Sequence, residues 1–258
     1  MKTRIAKTFF LIPFLVLAEE PSPGQPSLGW MLNAARTELL RLDGVPGSLS
    51  AVREVLEPAA RRWISSGLLL ELRGEKLSVR DLRSGETRVE AWTEGQEIVF
   101  SPDGKRFAAY AAGGATPFLA NDGSLHRIDG AMAYAEKEGA LAVATASGEI
   151  AFFTRNGEQW SEEKRVAAPV ESSIRSLHWS GEMFYLLTRD GDLYSWREGE
   201  AEAVLLASEV RSFTPMAALG FFEVESGAGP QLFYPASPGQ KLYALPGAKA
   251  AVQEGVAQ

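Results

Sequence analysis

The sequence predicts an all-β protein assembled from repeated four-stranded antiparallel units. Three observations predict it. Beyond residue 60 the chain is a succession of short alternating or β-branched runs, Gly, Asn, Asp, Ser and Pro separate those runs, and helical 3.6-residue periodicity is nearly absent. The composition agrees with a packed fold: of 258 residues, 45% are hydrophobic and 23% charged. That is enough chain to bury a full core without cross-links and excludes a disordered or collagen-like protein. With no cysteine, disulfide frameworks, thiolate metal sites and cysteine nucleophiles are excluded as well.

The elements follow in chain order. Lys2, Arg4 and Lys7 precede the apolar run from Thr8 to Ala18, after which Glu19-Glu20-Pro21-Ser22-Pro23-Gly24 is polar and turn-rich. This is the layout of a cleavable signal peptide over 1–18, cut after Ala18, because a bilayer span needs roughly 20 apolar residues and this run has about half that. The expectation is a periplasmic or secreted chain with no stable membrane span after cleavage. Loss of Lys2, Arg4 and Lys7 with the leader takes the net charge from −7 to −10. Residues 19–27 read as a linker. A hairpin is expected from Leu28–Leu32 and Thr37–Leu42, turning near Ala35. The segment 48–58 then places Leu49, Val52, Val55 and Leu56 on one helical face, with Ser48 or Ser50 able to cap it, and is expected to be a short helix.

Four strands are legible in succession at Ile174–Trp179, Met183–Thr188, Leu193–Trp196 and Ala203–Leu206. The same pattern lies on 60–91, 96–129, 131–166 and, more loosely, 210–245. The turn between third and fourth strands falls near Gly85, Gly123, Gly157, Gly199 and Gly239, at intervals of 38, 34, 42 and 40. A period near 40 with four strands per unit is that of a β-propeller blade. The expected domain is one propeller over 28–247, with five blades or with six if the last is shared between the chain ends, followed by a tail over 248–258.

The run Val99-Phe100-Ser101-Pro102-Asp103-Gly104-Lys105-Arg106-Phe107-Ala108-Ala109-Tyr110 has a plain physical sense. One strand ends at Phe100, Pro102 fixes φ, Asp103 and Gly104 turn the chain, and Phe107–Tyr110 returns. This run resembles the repeat motif of TolB-like and WD-type propellers of the bacterial cell envelope. No Trp is followed by Asp and no Gly-His pair occurs, so the resemblance is to the degenerate TolB-like class. It implies an exported, noncatalytic module that presents one face to an envelope protein or peptide.

The residues offer little specific chemistry. A net charge of −7 with a pI near 5.1 argues against a nucleic-acid partner. His126 and His178 lie on separate repeats and read as structural strand residues, so no metal site is expected. Asp190 and Asp192 flank Gly191 and read as a hairpin turn rather than a calcium loop. No nucleophile elbow, phosphate-binding loop or dinucleotide fingerprint occurs, and no cofactor is expected. Trp63, Trp179 and Phe100 occupy equivalent strand positions and read as packing between blades.

One constellation points to binding. Aligning the innermost strands puts Arg61, Arg175 and Arg211 at one equivalent position, where three guanidinium groups would surround the channel mouth. Arginine suits bidentate capture of carboxylate or phosphate. The expected partner is therefore an acidic peptide or small anion, helped by Trp92 and Gly113-Gly114 on nearby loops. The alternative is a propeller enzyme of lyase or glycoside-hydrolase type working through channel-facing residues. Against it, the acidic residues fall mostly in turns and outer strands, with no close pair on an inner strand.

Overall fold

The computed structural model describes residues 27–33, 35–45, 48–112, 117–157, 159–216, 221–227, 229–235 and 240–245. The leader over 1–18, the tail over 248–258, Gly113-Gly114 and Gly239 lie outside them. Every regular element among the described residues is a strand, and none is a helix long and apolar enough to cross a membrane.

Four of the five expected units are four-stranded antiparallel sheets whose strands neighbour one another in chain order. The unit expected over 60–91 is β4(Arg61–Ser65), β5(Leu68–Arg73), β6(Lys76–Asp81) and β7(Thr87–Ala91). Its successor divides into two pairs, β8(Gln96–Phe100) with β9(Phe107–Ala111) and β10(Phe118–Leu119) with β11(Leu125–His126). Then come β12(Ala131–Lys137), β13(Ala140–Thr145), β14(Glu149–Asn156) and β15(Gln159–Ala167). The last two sheets are β16(Ile174–Ser180), β17(Met183–Thr188), β18(Leu193–Arg197) and β19(Val204–Ala207), and β20(Ser212–Pro215), β21(Phe222–Ser226), β22(Gly229–Phe233) and β23(Leu242–Ala244). Gly85, Gly123, Gly157 and Gly199 each fall between third and fourth strands, as their spacing predicts.

The N-terminal segment differs from expectation. The hairpin is present as β1(Ser27–Leu32) and β2(Glu38–Val45), but the predicted helix over 48–58 is instead β3(Ser48–Val55), paired with β2 from Glu38↔Val55 to Val45↔Ser48. The physical reason is the unpaired edge of β2. Its residues Leu39, Leu40 and Leu42 are buried, and an uncapped row of backbone N–H and C=O groups beside them demands a partner strand. Strand alternation also buries Leu49 and Ala51 partly against the core, whereas the supposed helical face leaves Val55 79% exposed. Among the described residues the hairpin therefore pairs with β3, in a three-stranded sheet of its own.

Burial explains the order within each sheet. The second strands are near-continuous apolar runs, Ala140–Thr145 and Met183–Thr188, buried on both faces because a neighbouring sheet covers each side. The fourth strands β7, β15 and β19 are largely exposed, and β15 is rich in charge. The core consists of clusters between successive sheets. Leu32, Leu39 and Leu56 meet Leu69; Leu70, Leu77 and Trp92 meet Ile98 and Phe107; Phe118 and Ala120 meet Leu141 and Val143. Ile150 and Phe152 meet Leu177 and Phe184; Tyr185 and Leu187 meet Phe213 and Phe222. Finally Met31 and Leu42 of the first sheet meet Leu232 and Leu245 at the C-terminal end. The sequence of clusters thus returns to its start.

Candidate functional site

The first strands of the units line the axis. Phe100 of β8, Tyr134 of β12, Arg175 and His178 of β16, and Phe213 and Thr214 of β20 border one axial cavity of about 290 Å³. The C-terminal ends of these strands converge on a second cavity of about 200 Å³, where Asp103, Lys105, Glu136, Trp179 and Met216 meet. Their N-terminal ends therefore face the opposite mouth.

The motif that carried the resemblance ties sheets together at the C-terminal end of β8. Within the turn, the Ser101 hydroxyl donates to Asp103 Oδ1 at 2.6 Å and accepts from the Arg106 N–H at 3.1 Å. Beyond it, the Ser66 hydroxyl donates to the Asp103 carbonyl at 2.7 Å, and the Asp103 N–H donates to Asn121 Oδ1 at 3.0 Å. The Asn121 N–H in turn donates to Glu136 at 2.8 Å, and Lys137 Nζ to the Gly181 carbonyl at 2.7 Å. A hydrogen-bonded relay thus crosses from the second sheet to Glu136 of β12, and the next residue, Lys137, ties β12 on to the turn before β17. Burial raises the Glu136 carboxyl above its usual range, an effect that the Asn121 N–H opposes.

Of the four predicted binding residues, the structure brings two together. Arg175 Nη2 donates to the carbonyls of Val210 and Arg211 at 2.7 and 2.8 Å, which fixes one guanidinium beside the other residue's backbone. Arg175, Arg189 and Arg211 line a surface cleft of about 370 Å³ together with Asp190 and Glu209. Arg61 is elsewhere: its guanidinium grips Glu97 at 2.7 and 3.3 Å and lies 4.6 Å over the Trp63 ring. Trp92 is buried with its ring 5.9 Å from Trp63, so it packs the core between β4–β7 and β8–β9 instead of presenting a face to solvent.

His178 is enclosed by Phe213 and Phe222 at 4.9 and 5.6 Å, and its Nε2 lies 3.1 Å from the Phe213 carbonyl. Burial drives its pKa down to about 4, so the ring is neutral at physiological pH. His126 on β11 stacks on Phe118 at 6.2 Å. The Asp190-Gly191-Asp192 segment is the turn between β17 and β18, with the Thr188 N–H donating to the Asp192 carbonyl at 2.9 Å.

Sequence reasoning missed one pair of carboxyl groups. Glu223 and Glu225, two residues apart on β21, line a chamber of about 200 Å³ between the first, second and last sheets. Burial pushes Glu223 up to about 8, the charge of Glu225 adds to the rise, and Arg36 opposes it. The signal was in the alternation Phe222-Glu223-Val224-Glu225, which puts both carboxyls on the face opposite the buried Phe222 and Val224. On a second strand that opposite face is interior too.

No family model matches the chain, and no curated protein sequence matches it. Among solved structures it is similar to the "Crystal Structure of Mitotic Checkpoint Complex", at 11% identity over 94% of this chain and 74% of that one, with a TM-score of 0.43. It is similar also to the structure of Hsv2p of Kluyveromyces lactis, at 12% identity over 83% and 76%, with a TM-score of 0.37. A third similar structure is the N-terminal domain of Nup159, at 10% identity over 86% and 84%, with a TM-score of 0.43.

Proposed function

We propose that the chain is a six-bladed propeller serving as an exported, noncatalytic module that captures an acidic segment of an envelope protein, or a small anion, at the mouth where its inner strands begin. The pairs β8–β9 and β10–β11 count as two halves of one blade, and the three-stranded N-terminal sheet as the sixth. The cyclic order of core clusters supports that count. The basic and apolar layout of residues 1–18 supports export.

The observation that carries the binding reading is the cleft shared by Arg175, Arg189 and Arg211. Arg175 is immobilised by two backbone carbonyls, while the side chains of Arg189 and Arg211 are exposed and hold no hydrogen bond or ion pair among the described residues. A pre-positioned guanidinium loses less side-chain entropy on binding than a free one. Arg61, engaged by Glu97, is left out of the capturing set. The test is titration of a fluorescent poly-glutamate peptide into the protein. Changing Arg189 and Arg211 to Glu should weaken binding at least tenfold and leave the thermal midpoint within about 2 °C, since both side chains are at the surface. Unchanged affinity in that variant would place binding elsewhere.

A further inference from the structure

The chamber between the first, second and last sheets is independent of the arginine cleft. Glu223 and Glu225 share one face of β21, and their cross-strand partners Thr214 and Ser212 on β20 bring two hydroxyls to the same chamber. Facing them, Leu32, Ile64 and Phe100 form an apolar wall.

Glu223 is partly buried and lines the chamber, where burial raises the pKa of its carboxyl. Among the described residues it has no hydrogen bond and no ion pair, a costly state for a partly buried carboxyl. Arg36 also lines the chamber, but its Nη1 donates to the Arg62 carbonyl at 2.5 Å. Asn33 is engaged as well, donating to Thr37 and Glu38 and accepting from their N–H groups. Two carboxyls without a third acidic or imidazole ligand fall short of a metal cage, and no group of three occurs among the described residues. Carboxyl and hydroxyl acceptors on one side with an apolar wall on the other complement a cation that carries N–H donors and a short hydrocarbon.

We propose that this chamber binds a small primary alkylammonium ligand, its N–H groups donating to Glu223 and Glu225 and its alkyl part lying against Leu32, Ile64 and Phe100. Phe100 and Thr214 also border the axial cavity, so the axis is the route of entry.

The charged groups facing Glu223 are Glu225, which favours its protonated form, and Arg36, which opposes it. Because Glu223 holds its proton up to about pH 8, an ammonium that binds the carboxylate must displace that proton. Affinity should therefore rise about tenfold per pH unit below 8 and level off above it.

The experiment is calorimetric titration of n-butylamine hydrochloride into the whole protein at pH 6, 7, 8 and 9, in two buffers of different ionisation enthalpy, with 1-butanol as neutral comparator. The expected result is saturable binding of the amine, release of close to one proton at pH 7, and no binding of the alcohol. Glu223→Gln should abolish the pH dependence and weaken binding at pH 9 at least tenfold, while Glu225→Gln should weaken binding and keep the pH dependence. Should Glu223→Gln fail to fold, the proton count and Glu225→Gln decide alone. No saturable heat at pH 8 or 9, equal binding of the alcohol, or unchanged affinity in Glu225→Gln would overturn the proposal. The Arg189 and Arg211 variant should bind the amine normally, so the two sites fail separately.

Discussion

Arg62 is a side chain whose loss the fold tolerates poorly. It is buried on β4, and its Nε donates to Glu71 across the strand pair at 2.9 Å. Its Nη1 donates to the Arg36 carbonyl at 2.6 Å, and Nη2 to the Glu57 carbonyl. One guanidinium thus ties β4 to its neighbour β5, to the segment before it and to the turn at Arg36 in the first sheet. Removing it leaves the buried Glu71 carboxylate with only the longer 3.3 Å contact to Arg73 and leaves two carbonyls without their donor, and Arg62→Ala should cost about 3–5 kcal/mol in urea denaturation. The apolar double replacement of Arg62 and Glu71 by Met should recover most of that loss. This pair was legible in principle. The two-residue turn Ser66-Gly67 fixes the register that puts Arg62 opposite Glu71, but the sequence alone does not tell which strand face is interior.

His178 gives a pH signature at the same scale. Its folded-state pKa is depressed to about 4 from an ordinary 6.5, so the unfolded chain binds the proton more readily. Stability should be full above about pH 6.5 and fall as the pH drops through 6.5 towards 4, by up to about 3 kcal/mol. Glu223 works in the opposite sense: its raised pKa means stability lost as the pH climbs from the ordinary 4.5 through 8. Thermal midpoints from pH 4 to 9 check both signs. His178→Gln should flatten the acid limb and Glu223→Gln the alkaline one.

Among the elements, the turn Ser101–Arg106 shows why one sequence motif could be recognised when its relatives in the chain could not. Gly104 has φ +67°, and a Cβ there would come closer than 3.0 Å to the hydroxyls of Ser65 and Ser66. Only glycine lets β8–β9 approach the preceding sheet so closely. Gly104→Ala should cost roughly 1–3 kcal/mol, whereas Gly85→Ala, with open space around the new methyl, should cost less. The difference between the two thermal midpoints is the measurement. The misread element is β3. Leu49, Val52, Val55 and Leu56 satisfy a helical template as well as Leu49 and Ala51 satisfy a strand, and local pattern does not arbitrate between them. The waiting edge of β2 does, and that edge becomes visible only once the sheet is assembled. The repeat units were legible because their turns demand Gly and Asn at regular intervals. Their polar faces towards the inner chamber were not, because alternation puts Glu223 and Glu225 opposite the buried Phe222 and Val224 without telling that this second face borders a chamber rather than solvent.

For the whole molecule, the decisive contact joins the chain ends. Met31 and Leu42 are fully buried against Leu232, which is also fully buried. This cluster involves more than two hundred residues of sequence separation, the kind of contact whose loop-closure cost must be met before it stabilises anything. If it closes the ring, Leu42→Ala should cost about 2–5 kcal/mol, as much as Leu186→Ala at the centre of β17. Were the N-terminal sheet an appendage, the first change would leave the main unfolding transition untouched. Native-state hydrogen exchange tests closure most directly. Closure predicts that the amides of β1–β3 and of β20–β22 exchange only through global unfolding, with the same protection as β16–β18 and the same response to denaturant. Protection of β1–β3 that vanishes at low denaturant, while β16–β18 remain protected, would contradict it.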